Sequence, residues 1–458
     1  MQGAIAERED KIVHQAFHDT LTGLPNRALA HDRLQSAIQR AQRNGNAVGV
    51  LMIDVDRFKE INDSLGHHTG DQLLIELGRR LQATVRASDT VARLGGDEFL
   101  ALVEGENLDA AMTVGAKLIG ATAEPMKLGQ AEVVTTLSIG VSVYPDHGDD
   151  AEALLRRADI AMYEGKSTRQ SPIAYKPGRE EEHLHRLALV SDLRRAVPNN
   201  ELVVYYQPKI ELGTRTVTYV EALMRWRHPR YGLVRPDEFI PLAEQSGHIR
   251  ALTRWLLDTV VRECCAWRRE GIDVGVAINI SVTDLTSLDL PAIVEGRLRE
   301  NGLEPEHLTL EVTESSVMRD AVIVITMLER LAQSGVRLSI DDFGTGYSSL
   351  SHLKRLPVHE LKIDKSFVMD LANNSGDAVI VKSTIDLGHN MGLRVVAEGV
   401  ETEESLKLLQ SYGCDMAQGF LISKPLPLAE FIEWFKQYKQ TPAPRATQAA
   451  EALRRKVK

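Results

Sequence analysis

The sequence predicts an α/β protein of two domains, an N-terminal mixed sheet covered by helices and a C-terminal (β/α)8 barrel with one antiparallel strand. Three observations support this prediction. A turn-rich segment at 171–178 and a charged helical run that stops at Pro198 separate two different patterns. In the first half, helical and β-rich runs are interleaved, and Gly95-Gly96 joins one pair of strands. In the second half, eight short β-rich runs recur over about 250 residues, the usual size of a (β/α)8 barrel.

Length and composition limit the classes of protein that the chain can represent. Its 458 residues include 43% hydrophobic and 26% charged residues, and its formal net charge is -10. Such an acidic chain is not expected to bind nucleic acid or an anionic membrane, and an anionic ligand would need local cations. The three cysteines lack zinc-ligand spacing and the chain lacks a signal or a spanning segment, so we expect a cytoplasmic protein. An upstream sensor domain, in a longer membrane-bound protein, is compatible with this expectation.

The elements of the first half are predicted from apolar runs of strand length and from helical spacing. The first is a helix, Ile5–Phe17, whose sparse apolar stripe suits a signalling stalk. The others follow in chain order: strand Ala47–Ile53, helix Asp71–Arg86, hairpin Thr90–Val103, helix Asp109–Glu124, strand Val133–Val143 and helix Ala151–Tyr163. The predicted domain plan is a helix at 1–17, a domain at 18–170, a linker and connecting helix at 171–200, a second domain at 201–440 and a polar tail at 441–458.

The second half alternates more regularly, since a helical segment follows most of its β-rich runs. The first two runs have no clear helix between them, which predicts one antiparallel strand. The predicted strands are Leu202–Gln207, Thr216–Leu223, Gly275–Ser281, Leu308–Thr313, Arg337–Ile340, Glu360–Ile363, Arg394–Ala397 and Met416–Leu421.

Polar residues stand where these strands end. In a barrel, the C-terminal strand ends meet at one rim, where acids would repel one another unless divalent cations neutralise them. Oxygen ligands suit Mg2+ or Mn2+, and two such ions activate water against a phosphodiester. A lone acid is more simply a solvated loop residue, but repetition at successive strand ends disfavours that interpretation for the set. The residues are Glu221, Asn279, Glu311, Asp341, Asp342, Lys362 and Glu398.

The segments around these residues resemble the EAL family of cyclic di-GMP phosphodiesterases over about residues 183–437. The matching motifs are YVEALMRW at 219–226, NIS at 279–281, LEVTE at 310–314, DDFGTGYSSL at 341–350, LKID at 361–364, AEGVE at 397–401 and AQGF at 417–420. The resemblance implies a TIM-like barrel that hydrolyses cyclic di-GMP to pGpG with two Mg2+ or Mn2+ ions. The intact set of acids favours catalysis over the alternative, a non-catalytic cyclic di-GMP receptor that relays to a partner.

The same resemblance implies a role for each matched residue. Glu221, Asn279, Glu311 and Asp341 would bind the first metal, and Asp341, Asp342 and Glu398 would bind the second. Lys362 would position the attacking water, and Glu314 would anchor the loop that starts at Asp341. The dinucleotide would contact Gln207, Leu223, Arg225 and Gln418, while Glu401 and Gln418 would support the catalytic site.

The Gly95-Gly96 pair in the first half suits a two-residue hairpin turn, because both positions can take positive φ. Asp97 and Glu98 then lie just past the turn, and Asp54 ends the apolar strand before it. Acids at a strand end beside acids on a hairpin hold Mg2+ against a triphosphate in polymerase-like folds. By itself, such a turn is more simply a solvent-exposed hairpin.

The wider context resembles the GGDEF family of diguanylate cyclases, which have a palm-like fold, over about residues 14–170. The matching motifs are DTLTGLPNR at 19–27, DVDRFKEIND at 54–63, GH at 66–67, GD at 70–71 and RLGGDEF at 93–99. The resemblance implies an Mg2+–GTP site. Its metal ligands would be Asp54, Glu98 and the Val55 carbonyl, with Asp97 at the reacting hydroxyl, Asn62 and Asp71 at the guanine, and Phe58, Lys59 and Lys166 at the phosphates.

Two details of this resemblance leave alternatives open. Arg86 and Asp89 have the spacing of the family's inhibitory product site, or they are a helix-end arginine and its capping aspartate. The segment Lys166–Gln170 is one residue shorter than the family pattern and lacks its glycine, so GTP binding is better supported than cyclase turnover. The domain is therefore either a diguanylate cyclase or a GTP-binding regulator. Because cyclase chemistry in this family needs two domains face to face, we expect a homodimer.

Overall fold

Eight strands of the second half close into a barrel in the computed structural model, which describes residues 16–105, 107–129, 131–168, 170–319, 321–345 and 353–440. The chain divides into two compact units, residues 1–186 and 187–458. The first carries the mixed sheet and the second carries the barrel, so the predicted fold class is confirmed.

The first unit is built around strand β1, which is buried along its whole length. The sheet order is β2-β3-β1-β6-β7, with β1 antiparallel to β3 and β6, and β7 parallel to β6. The elements are α1 Arg27–Asn44, β1 Val48–Val55, α2 Phe58–Leu65, α3 His67–Thr84, β2 Thr90–Gly95, β3 Glu98–Glu104, α4 Leu108–Gly120, β4 Met126–Leu128, β5 Ala131–Val133, β6 Leu137–Tyr144, α5 Ala151–Thr168 and β7 Ile173–Ala174. Helix α6, Arg179–Ala196, follows and crosses the boundary between the units.

Alternate residues of β1 supply two separate cores, as the two-residue strand period requires. Val50 packs with apolar residues of α1 and α5, while Leu51 packs with apolar residues of α3 and α4. On β6, a Cβ at Gly140 would lie only 2.0 Å from the Met162 backbone nitrogen. Glycine at this position therefore lets α5 lie directly against the sheet.

The elements predicted for this unit differ from the structure in detail. Helices α1 and α2 were not predicted, because the buried stripe of α1 is mostly alanine and α2 buries no residue. The predicted strand Val133–Val143 is two strands, β5 and β6, in different sheets. The break falls where Thr136 bonds Asp56, with Asp56 N donating to Thr136 O at 3.0 Å and Thr136 Oγ1 donating to the carboxylate at 2.5 Å. Residues 5–15 of the predicted first helix lie outside the described residues.

The second unit is the barrel with its surrounding helices. The elements are β8 Leu202–Glu211, β9 Val217–His228, β10 Gly232–Val234, α7 Pro236–Gln245, α8 Ile249–Arg269, β11 Gly275–Asn279, α9 Val282–Leu285, α10 Leu290–Asn301, β12 Leu308–Thr313, α11 Glu314–Arg319, α12 Ala321–Gln333, β13 Arg337–Phe343, β14 Glu360–Ile363, α13 Lys365–Val368, α14 Ser375–Asn390, β15 Arg394–Ala397, α15 Glu403–Ser411, β16 Met416–Ala417, β17 Leu426–Pro427 and α16 Leu428–Gln440.

The barrel order is β9-β11-β12-β13-β14-β15-β16-β8, and β8 pairs with β9 to close it. Strand β8 is antiparallel to both neighbours, β9 and β16, which confirms the predicted antiparallel strand. The turn between β8 and β9 is too short for a crossover helix, so the two strands can only form a hairpin.

Two boundaries differ from the prediction. The last strand ends at Ala417 rather than Leu421, because residues after it turn back and bond Val400, whose carbonyl accepts from Leu421 N at 3.1 Å. The predicted linker begins inside the first unit, since Ile173–Ala174 adds a strand to its sheet. Among the described residues, no helix combines the length and apolar character of a membrane span.

Candidate active sites

The barrel strands bring the predicted rim residues side by side. Register neighbours place Glu221 beside Ala277, Asn279 beside Glu311, and Thr313 beside Asp341. Asn279 Nδ2 donates to Glu221 Oε1 at 2.8 Å, which links the first two strand ends directly. The parallel strands therefore deliver their polar ends to one face of the barrel.

Lys362 lies at the centre of this cluster, and its side chain is 1% exposed. Its Nζ lies 2.6 Å from Glu398 Oε1, 2.7 Å from Glu311 Oε2, 3.0 Å from Asp341 Oδ2 and 3.8 Å from Glu221 Oε2. One ammonium group thus faces four carboxylates, so negative charge remains in excess. A buried excess of this kind requires further cations or protons.

The carboxylates form two overlapping groups suited to cations. Glu221, Glu311 and Asp341 each offer an oxygen within 4.8 Å of the others, and Asp341, Asp342 and Glu398 do the same. Asp341 belongs to both groups. Hard oxygen donors in this number fit Mg2+ or Mn2+, and the shared aspartate fits a pair of ions.

The environment of the cluster changes the pKa of several acids. Burial raises the pKa of Glu221 and of Glu398. Burial and the neighbouring Asp341 raise the pKa of Asp342 to about 6. Burial also raises the pKa of Glu311, but the ammonium groups of Lys209 and Lys362 outweigh this effect and hold the pKa at about 2. The acids cannot all be ionised without added positive charge, whereas Glu311 is ionised already.

Amides and an arginine complete the rim. Gln418 Nε2 donates to Glu221 Oε2 at 2.6 Å and to Gln207 Oε1 at 3.0 Å, and both glutamines are buried. Gln207 Nε2 in turn donates to Ser423 O at 3.1 Å. The two amides therefore fix the orientation of the Glu221 carboxylate.

Arg225 and Leu223 lie on β9 beyond Glu221 and are half-buried. The guanidinium of Arg225 lies 5.5 Å from the centre of the Tyr205 ring and donates to Met224 O at 2.9 Å. Leu223 is the register partner of Tyr205. This part of the rim offers a cation and apolar surface next to the acid cluster.

Glu314 and Asp342 shape the loop that follows β13. Gly344 N donates to Glu314 Oε2 at 2.9 Å, so the carboxylate holds the loop backbone where it leaves the strand. Asp342 has a φ of 54°, and its N donates to Asp341 Oδ1 at 2.9 Å. A non-glycine residue in this region is strained and is held there by its surroundings. Glu401 is exposed, and its supporting role stays a prediction.

Two charged residues of the barrel interior were missed by the sequence analysis. Lys209 is 1% exposed, and its Nζ lies 2.5 Å from Glu311 Oε1 and 3.5 Å from Glu360 Oε1. Lys209 lies two positions after Gln207 on β8, so the strand period directs both side chains to the same face. That spacing, combined with a lysine in an apolar run, was the signal available in the sequence.

The predicted acids of the first unit also meet. Asp54 and Glu98 are register partners on β1 and β3, and Val55 N donates to Asp97 O across the hairpin end at 3.3 Å. Lys166 Nζ lies 2.6 Å from Asp54 Oδ1, and Arg27 lies 3.6 Å from Glu98. Burial raises the pKa of Asp54 to about 6 despite Lys166. These acids and the Val55 backbone could hold one cation beside the ammonium group of Lys166.

The predicted nucleotide residues lie on α2 and α3. A Cβ at Gly70 would lie 1.9 Å from Asn62 Oδ1 and 3.3 Å from the ring of Phe58, so glycine lets the two helices approach. Asn62 Oδ1 is buried without a hydrogen-bond partner in the described protein. Asp71 and Lys59 are exposed. An orphaned acceptor beside an exposed acid is suited to a ligand that donates hydrogen bonds.

Arg86 and Asp89 form a tight turn between α3 and β2. Arg86 N donates to Asp89 Oδ2 at 3.0 Å, and Asp89 N donates to Arg86 O at 2.9 Å. Asp89 therefore closes the turn that follows the helix, and both the inhibitory product site and the capping aspartate stay predictions. Lys166 lies on α5, whereas Arg169 lies outside the described residues.

Two family models match the chain: the GGDEF domain of diguanylate cyclases over residues 16–172 and the EAL domain over residues 190–425. The chain belongs to the GGDEF–EAL family. This membership confirms the resemblance found in both halves of the sequence and accounts for the barrel and the mixed sheet together.

Curated relatives match the chain over nearly its whole length. It is 43% identical over 94% of its residues to the bifunctional diguanylate cyclase/cyclic di-GMP phosphodiesterase MucR of Pseudomonas aeruginosa. It is 36% identical over 92% of its residues to the cyclic di-GMP phosphodiesterase PdeR of Escherichia coli. The chain spans 63% of the length of each of these relatives.

A solved structure matches the EAL half of the chain. It is described as the PaMucR phosphodiesterase in complex with c-di-GMP, and it is 46% identical with a TM-score of 0.52. The match covers 53% of this chain and 99% of that chain.

Proposed function

We propose that the EAL barrel hydrolyses cyclic di-GMP to linear pGpG with two Mg2+ or Mn2+ ions. The observation that carries the proposal is the sharing of Asp341 between two carboxylate groups at one rim. The likeness to MucR, PdeR and the c-di-GMP complex of PaMucR supports the choice of substrate. Glu221, Asn279, Glu311 and Asp341 would hold the first ion, and Asp341, Asp342 and Glu398 the second.

The residues around the ions have separate tasks. Bound ions would supply Lewis acidity and lower the pKa of a coordinated water. Lys362 would donate to the attacking water, since its ammonium lies among the carboxylates that would hold the ions. Asn279 and Gln418 hold Glu221 in place from both oxygens. Arg225 would face a phosphate of the dinucleotide, with Leu223 and Gln207 beside it.

For the first unit we propose an Mg2+–GTP site formed by Asp54, Glu98 and the Val55 carbonyl. Lys166 supports this proposal, because its ammonium already lies against Asp54 and can meet a phosphate. Asn62 and Asp71 would read the guanine, and Asp97 would lie at the reacting hydroxyl. The unit acts either as a diguanylate cyclase, in a homodimer that faces two such sites, or as a GTP-binding regulator of the barrel.

The test incubates purified protein with cyclic di-GMP, and separately with GTP, and follows the products by chromatography. We expect pGpG from cyclic di-GMP in Mg2+, none in EDTA, and recovery when Mg2+ is restored. Glu430→Ala, which removes an exposed acid on α16, serves as a control and should keep full activity. Tight cyclic di-GMP binding without product at saturating metal would replace the enzyme with the receptor.

A further inference from the structure

Lys209 lies beneath the rim of the barrel, one layer deeper than the residues expected to hold metal. Because β8 is antiparallel, Gln207 is the register partner of Glu221, and Lys209 is the partner of Tyr219 on the inner side. Its side chain is 1% exposed, so water does not compensate its charge. A buried ammonium persists only when its partners fix it.

Glu311 receives an ammonium group on each oxygen. Lys209 Nζ lies 2.5 Å from Oε1, and Lys362 Nζ lies 2.7 Å from Oε2. Glu311 is completely buried. With Oε1 held from below by Lys209, the carboxylate cannot turn, and Oε2 stays directed towards Lys362, Asp341 and Glu221.

We infer that Lys209 is a positioning residue of the metal site: it holds Glu311 from the floor of the barrel so that one oxygen is always presented to the cation. The inference rests on the proposed metal-dependent function of the barrel. Lys209 touches neither cation nor substrate, and it acts through Glu311 alone. Partners that orient a metal-binding carboxylate are worth roughly 10–100-fold in metal affinity or activity.

The competing role for Lys209 is to neutralise Glu360. The distances disfavour this role, since Glu360 Oε1 lies 3.5 Å away and also accepts from Ser339 Oγ at 3.2 Å. Glu360 has 13% side-chain exposure, whereas Glu311 has none. Glu311 is therefore the closer and more deeply buried of the two acid partners of Lys209.

The experiment measures Mn2+ affinity by calorimetry on the full chain for wild type, Lys209→Met, Glu360→Gln and the double variant Lys209→Met/Glu360→Gln. Methionine is similar in length to lysine but has no charge. We expect roughly 10–100-fold weaker Mn2+ binding in Lys209→Met. Glu360→Gln should keep the wild-type affinity. The double variant should bind Mn2+ as weakly as Lys209→Met. It also serves as a second test if Lys209→Met does not fold, because it has one buried acid fewer without a partner.

Wild-type or tighter Mn2+ binding in Lys209→Met would overturn the inference, because Lys209 would then only repel the cation. Recovery of Mn2+ affinity in the double variant would show that the role of Lys209 is to neutralise Glu360. This result would also overturn the inference. Binding of cyclic di-GMP in EDTA should be unchanged in all variants, since Arg225 lies on the rim. If wild type binds Mn2+ but neither binds nor hydrolyses cyclic di-GMP, the proposed function fails, while the Mn2+ comparison still decides the role of Lys209.

Discussion

Replacement of Lys362 by methionine should destabilise the metal-free barrel and leave the metal-bound barrel nearly unaffected in stability. Without the ammonium, Glu311, Asp341 and Glu398 lose the cation that lies within 3.0 Å of each of them. A divalent ion can take over the neutralising role, although it cannot donate a hydrogen bond to the attacking water. Stability should therefore return with metal while hydrolysis does not.

The size of the effect follows from burial. Removing one partner of a buried ion pair costs about 3–5 kcal/mol. Protonation of Glu398, whose pKa burial already raises, limits the loss, so we expect about 3 kcal/mol. For a unit of this size that corresponds to a decrease in melting temperature of roughly 6–12 °C. A cation at a hundredfold excess over its Kd returns about 2.7 kcal/mol.

Tryptophan fluorescence is the appropriate assay, because Trp226, Trp255, Trp267 and Trp434 all lie in the barrel unit. The matched control is Lys382→Met, which breaks an ion pair to Asp386 of the same 2.6 Å length as the Lys362–Glu398 pair. Lys382 is 44% exposed, so its loss should cost at most about 1 kcal/mol. The reasoning would be refuted if metal-free Lys362→Met melted at the same temperature as metal-free wild type. It would also be refuted if Mg2+ did not reverse a decrease in melting temperature.

Three further changes test the two sites. Glu221→Ala should abolish formation of pGpG and keep the fold, and Ca2+ should inhibit because its coordination shell is larger and looser; a normal rate in the variant, or full activity in Ca2+ alone, would contradict the metal assignment. Asp342→Asn should stabilise the metal-free protein at about pH 7 but hardly at about pH 4, because a pKa raised from 3.8 to about 6 destabilises the fold increasingly between these two pH values and fully above about pH 6; equal urea unfolding differences at pH 4 and pH 7 would contradict it. Asp54→Ala should lose Mg2+-dependent GTP binding in calorimetry, with cyclase activity slow or absent in wild type, since placing two triphosphates in line demands more accuracy than holding one. Brisk synthesis of cyclic di-GMP would show that the short Lys166–Gln170 segment is harmless.

The barrel could be predicted from the sequence because its strands are short β-rich runs, most of which have a polar residue at or near their ends. Glu221, Glu311 and Asp341 can be recognised as site residues from the sequence alone, since parallel strands must bring their ends to one rim. The break in the predicted strand Val133–Val143 was not recognisable. Its residues stay β-branched and apolar through Val134 and Thr135, and only the bonds to Asp56, far away in the chain, end the first strand.

The contact between Lys209 and Glu311, below the rim of the barrel, could not be predicted for a related reason. Lys209 becomes a partner of Glu311 only once the register of β8 against β9 is known, which sets the layer in which its side chain lies. Helix α1 was missed because the signal of its buried face is weak. That face consists largely of alanines, such as Ala30, Ala37 and Ala41, whose apolar contrast with the exposed residues is small.

The reversed strand β8 also decides where the polypeptide joins the barrel. In a regular (β/α)8 barrel, the first strand starts at the face opposite the catalytic rim. Here Leu202, at the start of β8, pairs with Trp226 at the far end of β9, and Arg227 N donates to Glu201 O at 2.7 Å. The chain therefore enters the barrel sheet on the side of the acid cluster, and Glu201 and Leu202 lie at the same end of the barrel as the proposed metal ligands.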